Sequence, residues 1–297
     1  MINENLNSPE GKLLGKTVAF PQSYDPSILV AVPRILNRRQ YGLENEALPF
    51  VGYDVWHGYE VSFLTKNGLP VNGVLKLVYS SDTPNIVESK SLKLYLNSLN
   101  NVRFDKSILT SIELVKELIA KDINPIVGGS VECQIFVLEI GSVPFDFEGY
   151  TLLEDSLDLE EEFFVDFKES PSNLMISFSG AKSISVKSNL LRSNCKITEQ
   201  PDWGTVFISL ESEFGIDEVG LVKYLVSFRN ENHFHEEVCE MIYKRLLDAY
   251  KPSKLGVTCI YTRRGGIDIC PTRVSDVSLL PHHLINSEIL TQKLLRQ

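Results

Sequence analysis

The sequence predicts an α+β protein built as two similar halves, each running strands, helices, strands. Three observations predict it: a hairpin pattern that starts at Val55, a change to helical periodicity after Asp105, and a return of the same order in the second half.

Val55, His57, Tyr59, Val61 and Phe63 alternate with mostly polar neighbours, as in a strand with one face buried. Asn67-Gly68 follows, a pair suited to a tight hairpin turn, and Val71 to Tyr79 reads as the returning strand. Glu88 to Tyr95 (ESKSLKLY) opens a first helix. Ile108, Leu109, Ile112, Val115, Leu118 and Ile119 make the apolar stripe of a second, with Asp105 as its expected N-cap. Val131 to Ile140 then returns to strand.

In the second half, Leu174 to Phe178, Ile184 to Val186 and Thr205 to Leu210 read as extended. Glu218 to Phe228 and His235 to Tyr250 read as helices, and Leu255 to Thr262 and Gly266 to Cys270 as strands. A direct echo supports duplication. Tyr95-Leu96-Asn97-Ser98-Leu99-Asn100-Asn101 aligns with Tyr224-Leu225-Val226-Ser227-Phe228-Arg229-Asn230, matching at Tyr, Leu, Ser and the last Asn. Two amphipathic helices could also match this well by chance. The acidic run from Asp155 to Glu162 reads as a solvated connector, dividing the chain into 1–150 and 151–297.

The 297 residues, 43% hydrophobic and 23% charged, are enough for a packed core. A net charge of -10 argues against broad nucleic-acid binding, which needs a basic surface, but leaves room for a few placed cations around one phosphate. No segment approaches the roughly 18 apolar residues of a membrane span, and the N-terminus lacks a signal-peptide pattern. Five scattered cysteines (133, 195, 239, 259 and 270) fit a reducing cytoplasm better than a disulfide framework. With no CxxC pair, a structural zinc site is not expected.

Four segments carry candidate chemistry. In SNCKITEQPDWG, Cys195 stands beside Lys196 and seven residues before Asp202, which Pro201 and Gly204 place on a turn rather than in a strand. A free thiol, with a pKa near about 8.5, needs help to act as a nucleophile at neutral pH. On chemistry alone Cys195 is equally readable as a small buried residue. His233-Phe234-His235-Glu236-Glu237 offers donors and carboxylates to a ligand, or helix-capping acids; its His residues lack HExxH spacing. Glu88-Ser89-Lys90 at a helix start suits a phosphate, or is an ordinary cap. Tyr261-Thr262-Arg263-Arg264-Gly265-Gly266 sets arginines beside glycines, for close phosphate approach or simply a charged hairpin. Neither GxGxxG nor a P-loop is present.

Together, ESKSLKLYLNS, SNCKITEQPDWG, FHE and YTRRGG resemble, in order and over nearly the whole chain, the NADPH-dependent 7-cyano-7-deazaguanine reductases of the queuosine pathway, in their long two-module form. The resemblance implies two tandem tunnelling-fold modules, each an antiparallel sheet with two helices packed on one face, and a homodimer. It implies Cys195 as a nucleophile forming a thioimide with the nitrile, and Asp202 as the acid that protonates nitrogen. Val87, Glu88, Ser89, His235 and Glu236 would then bind the deazaguanine ring. Ser89, Lys90, Arg264 and Gly265 would hold NADPH, with no metal required. The site would be composite, within one chain or across two. The remaining cysteines read as packing. Rival readings are a cysteine-dependent nitrile hydrolase, a zinc-using GTP cyclohydrolase-like enzyme and a non-catalytic deazapurine-binding protein.

Overall fold

The computed structural model describes residue 21 and residues 23–44, 47–137 and 143–297. It opens with β1 (Ala31–Pro33) and a single turn, α1 (Ile35–Arg38). The hairpin β2 (Val51–Leu64) and β3 (Pro70–Ser80) leads through β4 (Asn85–Val87) to helices α2 (Ser89–Ser98) and α3 (Ile108–Val127), then β5 (Val131–Phe136). After β6 (Thr151–Leu152) and the short α4 (Leu153–Ser156) come β7 (Ser183–Ser188), β8 (Arg192–Asn194) and β9 (Pro201–Glu211). Helices α5 (Glu218–Ser227) and α6 (His235–Tyr250) and strands β10 (Lys254–Tyr261) and β11 (Ile267–Val274) complete the second half, and a tail follows with one turn, α7 (His282–Ile285).

Among the described residues, nine strands form one sheet in the order β5-β3-β2-β11-β10-β9-β7-β6, with β8 lying along β9 beyond the end of β7. Neighbours are antiparallel except β6 and β7. The halves join edge to edge, β11 of the second against β2 of the first, from Val51 opposite Val274 to Gly58 opposite Ile267. This arrangement removes one exposed edge from each half. The short β1 and β4 pair separately.

The four long helices bury their apolar stripes on one face, in two clusters. Tyr95, Leu96, Val115, Ile119 and Ile123 pack with Trp56 and Leu75 in one. Leu221, Tyr224, Val238, Ile242 and Leu246 pack with Val206, Ile208 and Val257 in the other. The alternation in β2 predicted one wet face, but Val55, Trp56, His57 and Gly58 are all buried. Val55 faces away from the helices, into a third cluster with Phe147, Phe207, Cys270 and Leu284. The second face is therefore covered by residues near Phe147 and by the C-terminal tail, far from β2 in sequence.

Local expectations need three adjustments. The N-cap of α3 is Ser107, whose hydroxyl accepts from the Thr110 N–H at 3.4 Å; Asp105 instead accepts from the Ser107 N–H at 2.8 Å. Leu174 to Phe178 forms no strand, only an isolated bridge from Ile176 to Ile216. The strand expected over 131–140 ends at Phe136, and its last residues lie outside those described.

The echo between halves reaches hydrogen bonds. Ser98 donates to the Tyr95 carbonyl at 2.6 Å and accepts from the Asp25 N–H at 3.3 Å. Ser227 donates to the Tyr224 carbonyl at 2.7 Å and accepts from the Ser170 N–H at 3.1 Å. Asp25 and Ser170 each precede a one-turn 3-10 helix that opens on proline. No described helix is long and apolar enough to cross a membrane.

Candidate active site

Cys195 follows β8 directly. Its N–H donates to the Gln200 carbonyl at 2.8 Å and its carbonyl accepts from the Glu199 N–H at 3.0 Å, closing a tight loop into β9. Asp202 lies opposite Ser193, so the loop returns the carboxyl to the thiol's end of the hairpin. This corrects the expectation of a turn at Asp202: the residue is in β9. Pro201 is tolerated there because it takes the first strand position, where a missing N–H is least costly. Gly204 marks a close approach, since a Cβ would lie 3.2 Å from the Tyr261 ring.

The thiol is buried with Val32 and Ile86 from the first half and Ile197 and Phe234 from the second. It therefore sits at the seam. A narrow cleft there, about 10 Å³ in volume, is walled by Trp56, Ile86, Val87, Phe234 and Ile269. Ser89, Cys195, Asp202, His233, His235, Glu236 and Arg264 supply its polar surface. Both halves thus contribute to one cleft within a single chain.

Asp202 is buried against the Arg264 guanidinium at 3.0 Å, with His235 Nε2 at 3.7 Å. His235 stands edge-on to Tyr261, with ring centroids 4.1 Å apart. Glu236, in the first turn of α6, is 2% exposed. Burial, with the Asp54 carboxylate next in weight, pushes its carboxyl up to about 8, against the pull of Arg34 and Arg273. Behind it, Arg273 reaches Asp54 at 2.8 Å and Glu240 at 2.9 Å, Arg38 reaches Glu240 at 2.7 Å, and Arg34 pairs with Asp54. This buried network ties α6 to α1, β2 and β11. Glu236 Oε1 and Trp56 Nε1 are buried without a hydrogen-bond partner. Such atoms are costly unless a ligand satisfies them.

The other expected residues fall in distinct places. Val87 and Ser89 line the cleft, but the Glu88 carboxylate between them caps α2, accepting from the N–H groups of Lys90 and Ser91 at 2.8 Å each. Burial raises that carboxyl and the two amides draw it back. Lys90 is the second residue of α2. Lys196 does not serve the thiol directly; it pairs with Glu237 at 3.1 Å. Glu237 also accepts from the Phe234 N–H at 3.1 Å, so of the two adjacent acids one faces the cleft and the other caps α6. His233 lies between Glu231 at 3.2 Å and Glu237 at 3.4 Å; burial disfavours its charge, but the two carboxylates prevail and raise it.

Gly265 and Gly266, at φ +61° and +78°, form a two-residue turn between Arg264 and Ile267, at the tip of the connection from β10 to β11. The YTRRGG segment is thus a hairpin turn, and Arg264 reaches from it into the cleft. Sequence reasoning missed Trp56, Ile86 and Ile269, whose apolar types look like any core position. Among the described residues, the one group of three donors close enough to share a metal is His57, Asp268 and Cys270. It lies on the tail-covered face, where the Lys293 ammonium stands 3.2 Å from His57 Nδ1 and 3.5 Å from Asp268.

A duplicated antiparallel sheet with paired helices on one face of each half, joined at a seam that buries a thiol and a carboxyl, defines a protein of tandem tunnelling-fold modules. Residues 20–135 match the family model described as nitrile reductase, 7-cyano-7-deazaguanine-reductase N-terminal, and residues 201–277 match that of a QueF-like protein. The chain is 41% identical over 273 residues to the NADPH-dependent 7-cyano-7-deazaguanine reductase of Cupriavidus metallidurans, covering 90% of this chain and 94% of the relative. It is 39% identical to the enzyme of that name from Rickettsia canadensis over 89% and 93% of the two chains. It is 41% identical to the one from a Polaromonas species over 94% and 98%. The chain belongs to the NADPH-dependent 7-cyano-7-deazaguanine reductase family.

Proposed function

We propose that this chain reduces the nitrile of 7-cyano-7-deazaguanine to an aminomethyl group with NADPH, through a Cys195 thioimide and two hydride transfers per turnover, as a step of tRNA queuosine biosynthesis. The observation that carries the reading is that Cys195 and Asp202 share a cleft with an unpartnered Glu236 oxygen.

A nitrile accepts hydride poorly, so the thiol adds first. Asp202, 3.0 Å from the Arg264 guanidinium, relays the Cys195 proton to the nitrile nitrogen as the C–S bond forms. The product is a neutral thioimide whose C=N resembles an imine. NADPH, when bound, would supply hydride to that carbon and to the imine that follows, and two protons taken up from solvent would complete the amine and restore the Cys195 thiol. After the first reduction the C–S bond breaks, Cys195 leaves as thiolate and an imine remains in the cleft. The apolar walls of Trp56, Phe234 and Ile269 keep water from both intermediates, for which hydrolysis is the competing fate.

Glu236 Oε1 accepts an N–H of the ring, with His235 beside it and Val87 and Ser89 as the opposite wall. Glu88 joins only in competition with the two amides it caps. Ser89, Lys90, Arg264 and Gly265 hold NADPH. The fit to a phosphate-bearing ligand is reasonable, because the Lys93 ammonium lies 3.5 Å from where a side chain at Gly265 would begin. The modules of this reading are residues 1–150 and 151–297. The protein acts in the cytoplasm as a homodimer, to which the exposed Phe163, Val165 and Phe178 offer apolar surface.

Mixing the protein with the nitrile and NADPH tests the reading. Loss of absorbance at about 340 nm with formation of the aminomethyl product is expected. Acid or amide product without NADPH consumption would identify a hydrolase instead, and tight binding without turnover a binding protein.

A further inference from the structure

The two adjacent arginines of YTRRGG do different things. Arg264 turns into the cleft, 3.0 Å from Asp202. Arg263 is exposed and its guanidinium stands over the ring of Tyr59, the guanidinium carbon 3.3 Å from the ring centre. Tyr59 is itself anchored. Its hydroxyl donates to Asp268, which His57 Nδ1 approaches at 2.7 Å and the Lys293 ammonium at 3.5 Å. Asp268 stays ionised there: burial works against the charge, but His57, Lys293 and the tyrosine hydroxyl hold its carboxyl well below the ordinary range. These groups take no part in the thiol chemistry.

We propose that Arg263, held on Tyr59 by the His57–Asp268–Lys293 cluster, is a phosphate-binding residue for NADPH. This rests on the proposed use of the Gly265 turn by the cofactor. A guanidinium stacked through its face keeps its N–H edge free for bidentate contact with phosphate oxygens. A loose arginine would give up rotamer freedom on binding, and stacking on an anchored ring removes much of that loss in advance. Lys93 adds a second positive charge near the same turn, tempered by Glu60 at 3.5 Å. Tyr59 and Lys293 are positioning residues in this account, acting through Arg263. The C-terminal tail, which carries Lys293, thereby affects cofactor binding without touching the cofactor.

The 2′-phosphate and the diphosphate share this chemistry, and NADPH and NADH tell them apart. Direct titration of the full-length protein with each nucleotide, without nitrile, reads affinity with no turnover. Arg263→Gln is expected to weaken NADPH binding about 10-fold or more, and Arg263→Lys less, since an ammonium lacks the fork. Weakening confined to NADPH assigns Arg263 to the 2′-phosphate; equal weakening of both assigns it to the diphosphate. Tyr59→Leu should reproduce part of the loss, and Lys293→Met a smaller part. Formation of the nitrile adduct on Cys195, which needs no nucleotide, reports that each variant is folded. Unchanged NADPH affinity in Arg263→Gln overturns the proposal, while the wild-type assay above stands or falls separately.

Discussion

At the scale of single residues, the chemistry depends on where protons go. In the proposed mechanism, attack by Cys195 requires its proton to leave, and Asp202, opposite Ser193 in the β8–β9 hairpin, is the proposed acceptor. Cys195→Ala should abolish turnover and the adduct seen by intact mass; an adduct surviving there would move the nucleophile elsewhere. Asp202→Asn should slow adduct formation by roughly 10²-fold or more while nitrile binding persists, and a wild-type rate would remove its proton role. Glu236 makes a separate prediction from its carboxyl, raised from 4.5 to about 8. Folding takes up a proton between those values, so the stability linked to this group is fully present below the lower value and is lost as pH rises through the upper one. Between about pH 5.5 and 7.5 the wild type should lose up to roughly 3 kcal/mol that Glu236→Gln does not lose, by urea unfolding. Parallel pH profiles for the two proteins would show that Glu236 is ionised throughout.

At the scale of elements, the duplication predicts matched energetics. Ser98 and Ser227 each bond a carbonyl three residues back and an N–H from a distant proline-opened turn. Replacing either by alanine leaves that N–H short of a partner and should cost about 1–2 kcal/mol, similar for the two, in urea unfolding. A cost at one site only would mean that the shared geometry carries no shared energy. The sequence echo around Tyr95 and Tyr224 found this pair because both serines sit within it. It did not reach Asp25-Pro26 and Ser170-Pro171, since two short proline turns share too few residue types to stand out. Helix ends were similarly uneven: α6 was legible from His235 to Tyr250, whereas the cap of α3 moved from Asp105 to Ser107. Both residues are good caps, and only the chain's path decides which one takes the position.

At the scale of the molecule, the tail is the decisive feature. Lys76 lies buried in β3, and its ammonium donates to the carbonyls of His283, Asn286 and Ile289, at 3.2, 2.8 and 2.5 Å. Burial pulls its pKa down to about 8, yet three carbonyl partners keep the group useful as a staple. Lys76→Met should leave those acceptors short, cost about 2–4 kcal/mol and expose the tail to limited proteolysis. A tail that resists cleavage in that variant would show that apolar contacts through Leu284 suffice to hold it.

The sequence by itself determined the α+β class, the repeated order of strands and helices, the order of the family segments, and Cys195 and Asp202 as neighbours on one polar stretch. Those features are local: they live in periodicity, turn chemistry and short spacing, which a linear chain displays directly. Tertiary structure decided that both halves close one cleft in one chain, that Glu236 faces it while Glu237 caps α6, and that Glu88 caps α2. It also decided that Arg263 and Arg264, adjacent in sequence, meet Tyr59 and Asp202. The two caps use N–H groups only two or three residues away, but which acid turns to the cleft and where each arginine reaches depend on partners far along the chain, such as Lys196 with Glu237 and Tyr59 with Asp268, separated by 41 and 209 positions. Burial and charge pairing at that range are set only when the two sheets join, and no local pattern records them.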